Sequence, residues 1–589
     1  MAGAHLAERA RLFIMIKLGE SIHHPTSPSR RSAWCSVPWP SPAPRRRWWW
    51  RPRPPGPPSP RDVPHRPPVD RADRRSTAAS TTRVQGSLSP AALRWLGLAG
   101  AGLMAASAYL AGSPDNRGPC WVVGVALWVI GAGGLVAVWW RLRGVAKPGS
   151  MLVTGALWAL PLLLAPPLGS HDVYAYACQG EVVAAGLDPY AVGPDALPCR
   201  WLAAVPPGWR GTSVPYGPLW LVLERLAVGA AHGSLAVAVT VLRLTAIAGT
   251  LLATVAGARL ARRCGGDPAR VVWLGAIGPL TLVHVVSGAH NDALLAGLVV
   301  VGLAAAAERR PVAARLALAG AAFGLAAAVK ATALVVVPFA IAAVPWAHTG
   351  YRRVAAGAVV GATTVGTFVV LSGVTGHGLG FVRSWPATAG SVQWLSIPTG
   401  VGMAAGYVLR VTGRPEAFTT VVATARLAGL CALAVVLVAL WRRATRGGPA
   451  VAIPAAAAAL LATALLGPVF YAWYAIAGVA VLAAAAPLGR VTTVLSAGSA
   501  GLIFLTLPDS LGLATKTKVP GALLAVLLVG WVIAWRARQV RRDGLVRSPA
   551  SGAAALLGLA VARARSMGAS ALDGAVLATR TRLRRRGKR

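Results

Sequence analysis

Acidic side chains are scarce in this chain, with 18 Asp and Glu among 589 residues against 59 Lys and Arg. Charged residues of either sign make up only 13%, where a soluble domain carries roughly 25%. That shortage excludes an ordinary soluble enzyme. Cysteine is rare too. The six, Cys35, Cys120, Cys178, Cys199, Cys264 and Cys431, show no CxxC and no Cys/His ligand spacing, which argues against a structural zinc site. Cys178 and Cys199 fall in one loop, and two readings are open: a disulfide if that loop is extracytoplasmic, or two unrelated small residues. Neither a GxxxxGK[ST] loop nor a GxGxxG at a strand–helix junction occurs, so no nucleotide site is visible. No cofactor and no metal ligands are expected from the sequence.

What is abundant is apolar. The chain is 55% hydrophobic with a mean hydropathy of +0.57. From about residue 93 to 536, runs of ~16–24 apolar residues recur, each long enough to cross a hydrocarbon core. The expected fold is all-α, a polytopic transmembrane helical bundle, because helices satisfy their backbone polarity within lipid. The formal charge of +41 suggests nucleic acid at first sight. Its distribution argues otherwise: the basic residues sit in two tails and in short loops, which marks a cytoplasmic side facing anionic lipid.

Three regions follow. Residues 1–90 form a basic, Pro/Arg-rich, low-complexity tail that cannot bury a core. Residues 91–540 form the membrane domain, and 541–589 a second basic tail. Placing Arg141–Lys147 inside and Gly112–Asn116 outside, every strongly basic loop falls on one side, giving about fourteen spans with both termini cytoplasmic. Twelve spans would result if two short runs are not separate crossings. Long extracytoplasmic loops are then expected near 169–233 and 373–417, the latter with a stretch, 396–411, that could dip into the membrane.

On this outer face the polar residues gather. His171-Asp172-Val173-Tyr174-Ala175-Tyr176 is a polar island directly after an apolar run. A carboxylate placed where a span leaves the bilayer is costly without a partner or a task. If 172–184 is helical, Asp172, Tyr176 and Gln179 share a face at i, i+4 and i+7. Asp172 is then either a helix N-cap or a general base for a hydroxyl. In Val214-Pro215-Tyr216-Gly217-Pro218-Leu219-Trp220, Tyr216 suits sugar stacking, and Trp220 reads more readily as an interfacial-belt residue. Glu224 and Arg225 are expected to pair with Arg243 or with each other. Gly288-Ala289-His290-Asn291-Asp292 puts three polar residues between two apolar spans. His290 could bond a phosphate or a sugar, and Asp292 could cap the next helix. Lys330 either snorkels or, like Arg383, grips a phosphate. Trp394, Trp473 and Tyr474 complete the outer set, with Tyr174, Tyr176, Gln179, Asn291 and Asp292 as further substrate contacts. A reaction in such a setting needs a donor already in the membrane, and a polyprenyl phosphate ester meets that need.

Three runs, His171–Gly180, Pro215–Trp220 and Gly288–Leu294, together resemble the actinobacterial polyprenol-phosphomannose-dependent alpha-1,6-mannosyltransferases, integral-membrane glycosyltransferases of the GT-C fold. The resemblance covers about residues 93–540. It implies a catalytic acid in the first large extracytoplasmic loop, which falls on Asp172, a polyprenyl-phosphate-mannose donor, and a mannan acceptor that becomes the lipomannan or lipoarabinomannan backbone. It also implies roles for Lys330 and for Trp473-Tyr474, although Ala472 stands where related enzymes often have proline. The implied reaction is inverting, in the plasma membrane. Two other readings are a GT-C transferase for a different polyprenyl-linked sugar and a transporter or flippase of lipid-linked glycans.

Overall fold

The computed structural model describes residues 88–546 apart from 113–117, 145–146, 310–311, 347–349, 385–389, 486–488 and 510–511. Most of the two expected tails, and the outer turn containing Asp115 and Asn116, lie outside the described residues. No strand occurs among the described residues.

The first three helices are α1 (Pro90–Ala111), α2 (Pro119–Arg141) and α3 (Pro148–Leu164). Each opens on proline, whose missing N–H is no loss in a first turn, and Ser89 caps α1 by accepting from the Ala92 N–H at 3.1 Å. There follow α4 (Asp172–Ala184), α5 (Pro218–Ala231) and α6 (Leu235–Arg263). A broken span comes next, Pro268–Ala276 and Pro279–Ser287, bent by about 40°. The break falls at Gly278-Pro279, and each half holds a π-helical turn, Val271–Ala276 and Leu282–Ser287. Beyond it, leaving aside helices of a single turn, come α7 (Asp292–Ala306), α8 (Ala313–Ala327), α9 (Val337–Ala342), α10 (Gly350–Val374), α11 (Ile397–Val411), α12 (Phe418–Ala444), α13 (Gly448–Leu466), α14 (Ile476–Ala484), α15 (Arg490–Gly501) and α16 (Lys518–Val546). Two 3₁₀ segments introduce shorter helices: Ala331–Val336 leads into α9, and Ala472–Ala475 into α14.

Among the described residues, seven helices are long and apolar enough to cross a membrane, and the broken span makes an eighth. Six shorter apolar segments accompany them. Each expected apolar run is therefore helical, but not each is a full crossing. A 15-residue helix such as α7 reaches only ~22 Å, short of a ~30 Å hydrocarbon core. The chain is a multi-pass helical membrane protein in which full spans are joined by shorter segments, some of them, such as α7 and α14, largely buried.

The expected outer loop 169–233 is largely folded, since α4 and α5 occupy much of it. Its base is fixed by Arg243 on α6, which donates to the carbonyls of Ser287, Leu163 and Ala165 at 3.0, 2.8 and 2.9 Å. Those carbonyls end α3 and the broken span, where helical partners run out. Arg243 is thus committed to backbone, and the expected pairing with Glu224 does not form. Glu224 is fully buried one turn along α5 from Trp220, and burial pushes its carboxyl well above the usual range.

Candidate active site

α4 begins two residues after Ser170, whose hydroxyl accepts from the Asp172 N–H at 3.0 Å. Asp172 is the first residue of the helix, and its carboxylate caps nothing. The helix instead turns it into a cavity of about 460 Å³ that Ala175, Tyr176 and Gln179 also line. These are positions i, i+3, i+4 and i+7, one helical face. Tyr174 lies about 200° round the helix from Asp172 and packs on His171 with ring centres 5.3 Å apart. It is not brought to the cavity.

The Pro215–Trp220 run is drawn against the end of α8. Gly217 donates its N–H to the Val329 carbonyl at 3.0 Å. A Cβ there would lie 2.4 Å from the Ala328 oxygen, so only glycine permits the approach. The approach sets Tyr216 beside Lys330, whose Nζ is 5.8 Å from the Tyr216 ring centre. Trp220 is fully buried, edge-on to Tyr176 at 5.2 Å. It is a core residue rather than a belt residue, because α5 packs inward against α4.

Lys330 does not snorkel. Its Nζ donates to both carboxylate oxygens of Asp292, at 3.0 Å each, and lies 4.2 Å from the centre of the Tyr474 ring. All three residues line the cavity. Asp292 starts α7 without capping it. The ion pair lets two charges remain in a poorly hydrated place, and Tyr474 adds a cation–π contact.

The turn before α7 carries backbone strain. Ala289 has φ +57°, which a residue with a Cβ rarely adopts. It delivers His290 behind Asp172, with Nδ1 3.9 Å from Asp172 Oδ2 and 3.5 Å from Tyr176 Oη. His290 is wholly buried and stacks on Trp473 at 3.9 Å, which stacks in turn on Tyr471 at 4.6 Å. Burial, with His284 and Lys330 nearby, holds its pKa well below the usual range. A neutral ring behind the wall does not suit the expected phosphate contact; its geometry fits positioning Asp172 and Tyr176. Asn291 is likewise fully buried and away from the cavity.

Trp473 also lies behind the wall, while Tyr471 and Tyr474 line the cavity. Tyr471 is the extended residue that caps the 3₁₀ segment, and Tyr474 lies within it. Tyr471 and the loop residues Trp209, Thr212 and Ser213 are contributors that the sequence reading left out of the site. The signal for Trp209 was a tryptophan in a Pro- and Gly-rich loop. Two expected contributors are elsewhere. Arg383 is exposed and does not line the cavity. Trp394 donates its indole N–H to Thr517 at 3.2 Å and packs against the start of α16, where Gly521 leaves room for its ring.

Asp172 is 8% exposed, and its pKa is raised to about 6, chiefly by burial, with the Ser170 bond and the Lys330 charge pulling it back. Aliphatic side chains, Leu295, Val335, Leu430, Leu433 and Leu460, also line the cavity. The disulfide Cys178–Cys199 ties the loop that carries Trp209 to α4, and Arg210 braces that loop by donating to the Val205 and Ala203 carbonyls at 2.9 and 3.1 Å. Among the described residues no three His, Cys, Asp or Glu side chains are gathered as metal ligands would be.

A buried carboxylate of raised pKa and a lysine thus open into one cavity lined by both aromatic and aliphatic side chains, the setting of a membrane enzyme's site. Comparison with known proteins narrows it. The family described as "Alpha-(1->6)-mannopyranosyltransferase, N-terminal domain" matches residues 94–347, and "MptB C-terminal domain" matches 398–535. Alpha-(1->6)-mannopyranosyltransferase A of Mycobacterium tuberculosis is 32% identical over 448 residues, 70% of this chain and 84% of the relative. Alpha-(1->6)-mannopyranosyltransferase B of Corynebacterium glutamicum is 31% identical over 416 residues, 67% of this chain and 68% of the relative. No solved structure matches. The chain belongs to the alpha-(1->6)-mannopyranosyltransferase family.

Proposed function

We propose that this protein transfers mannose from polyprenyl-phosphate-mannose to a mannan acceptor in alpha-1,6 linkage, building a lipomannan or lipoarabinomannan backbone on the outer side of the plasma membrane. The observation that carries the reading is that Asp172 and Lys330 open into one cavity lined by both aromatic and aliphatic side chains. Aromatic side chains suit sugar faces, and aliphatic ones suit a lipid carrier. The disulfide supports an oxidising, extracytoplasmic setting for the loop.

In this mechanism the 6-hydroxyl oxygen of an acceptor mannose attacks the anomeric carbon of the donor. Its proton passes to Asp172. The anomeric carbon–oxygen bond to phosphate breaks on the opposite face, so a beta-linked donor yields an alpha linkage and free polyprenyl phosphate. Lys330 stabilises the charge that develops on the leaving phosphate, with Asp292 holding its ammonium in place. Tyr216, Tyr471 and Tyr474 contact the sugars, and Gln179 offers an amide to a hydroxyl.

The test is transfer by the full chain in proteoliposomes with labelled polyprenyl-phosphate-mannose and a mannan acceptor. Asp172→Asn is expected to lower kcat by roughly 10²–10⁴, the range for a lost general base, with donor binding retained. Near-wild-type transfer by that variant would remove Asp172 from the mechanism. Translocation of the lipid-linked sugar without any transfer would replace the enzyme reading with a transporter.

A further inference from the structure

The aliphatic side of the cavity does not end at its wall. A second cavity of about 560 Å³ lies between α9, α10 and α12, and Val335 lines both. Two elements run continuously from one into the other. On one side, Thr332, Val335, Pro338 and Ile341 recur every three residues from the 3₁₀ segment into α9. Thr332 lines the first cavity, Val335 both, and Pro338 and Ile341 the second. Three-residue spacing eclipses side chains in a 3₁₀ turn, which begins a straight apolar strip. Lys330 stands immediately before it.

On the other side, Leu430, Leu433, Leu437 and Trp441 recur at spacings of three and four along α12, one helical face. The first two line the first cavity and the last two the second. From Leu430 to Trp441 the helix advances ~16 Å. α10 forms the floor, where Gly357 keeps the space open: a Cβ there would meet only Ile341, at 3.6 Å. The far end is basic, with Arg353 among its lining residues and Arg442 and Arg443 in the last turn of α12.

We propose that this second cavity is a binding channel for the isoprenoid tail of the donor, continuous with the site that holds its phosphate. The proposal rests on the lipid-linked donor of the preceding reading. The strip starts beside the candidate phosphate contact and leads toward the basic end of the bundle, the direction an outward-facing headgroup requires of its tail. A bilayer is as apolar as this channel, so the gain is orientation rather than burial. The channel holds the phosphate in register with Asp172 and selects carriers long enough to fill it.

The test uses the full chain in proteoliposomes, with two mannosyl phosphate donors, one on a long polyprenyl tail and one truncated to two isoprene units. Gly357→Trp and Val438→Trp each fill the channel from positions that do not line the catalytic cavity. Both are expected to raise KM for the long donor about fivefold or more, ~1 kcal/mol, with the short donor unchanged. Equal effects on the two donors, or none, would mean that the channel holds only bilayer lipid and would overturn the proposal. A sugar-free polyprenyl phosphate bearing a photoreactive tail separates this from the reaction itself. Crosslinks to 331–342 or 430–441 sustain the channel even if no mannose is transferred, and labelling spread evenly over the lipid-facing helices overturns it.

Discussion

Asp172 is one of few acids in the chain, and its setting gives it a measurable signature. Burial disfavours the carboxylate, and its pKa rises from 3.8 to about 6. A general base works only when deprotonated. A raised pKa therefore costs activity on the acid side: kcat/KM is expected to level off above about pH 6 and to fall roughly tenfold per unit below it. A rate profile from pH 4 to 8 checks this, and an inflection near the ordinary carboxylate value would count against Asp172 as the base. This residue was legible in the sequence because a carboxylate stood out against an apolar background, and Lys330 and Asp292 for the same reason. Arg383 and Trp394 were misread because charge and hydropathy assign a residue to a side of the membrane, not to a place within that side. Trp473 packs behind the wall, stacked on the buried His290, a contact that hydropathy does not record.

At the scale of elements, the α4 face and the loop carrying Trp209 depend on each other through Cys178–Cys199, 21 residues apart. Closing a loop of that size removes about 3 kcal/mol of unfolded-state freedom. In a Cys178→Ala/Cys199→Ala variant the thermal midpoint is expected to fall. KM for the acceptor should rise severalfold while KM for the donor holds, since Lys330, Asp292 and Tyr474 sit on other elements. Equal loss for both substrates would mean that the disulfide supports the whole domain rather than this loop. The elements themselves were largely readable, because every long apolar run is a helix. The folding of the 169–233 loop was less so. Its helices are held by packing of Trp220 and Tyr176 and by Arg243 on distant carbonyls, contacts that hydropathy does not record. The strain at Ala289 was also invisible, since nothing in its residue type announces it.

At the scale of the whole molecule, the alternation of basic loops predicts which end of each helix faces outward. Cys120, exposed at the start of α2, is expected on the outside. In a background with Cys35, Cys264 and Cys431 changed to serine, a membrane-impermeant maleimide should label Cys120 on intact cells. Labelling only after permeabilisation would invert the topology and place the cavity on the wrong side for its proposed acceptor. The cavity draws its lining both from the loop that carries Trp209 and from membrane helices. Under the proposed reaction its two ligands are counted in different units. One approaches through an aqueous volume; the other arrives within a film two molecules thick, where abundance is a matter of area. On that proposal, what the aliphatic side senses is the crowding of donor among its lipid neighbours, and the surrounding water, however large its volume, does not dilute it.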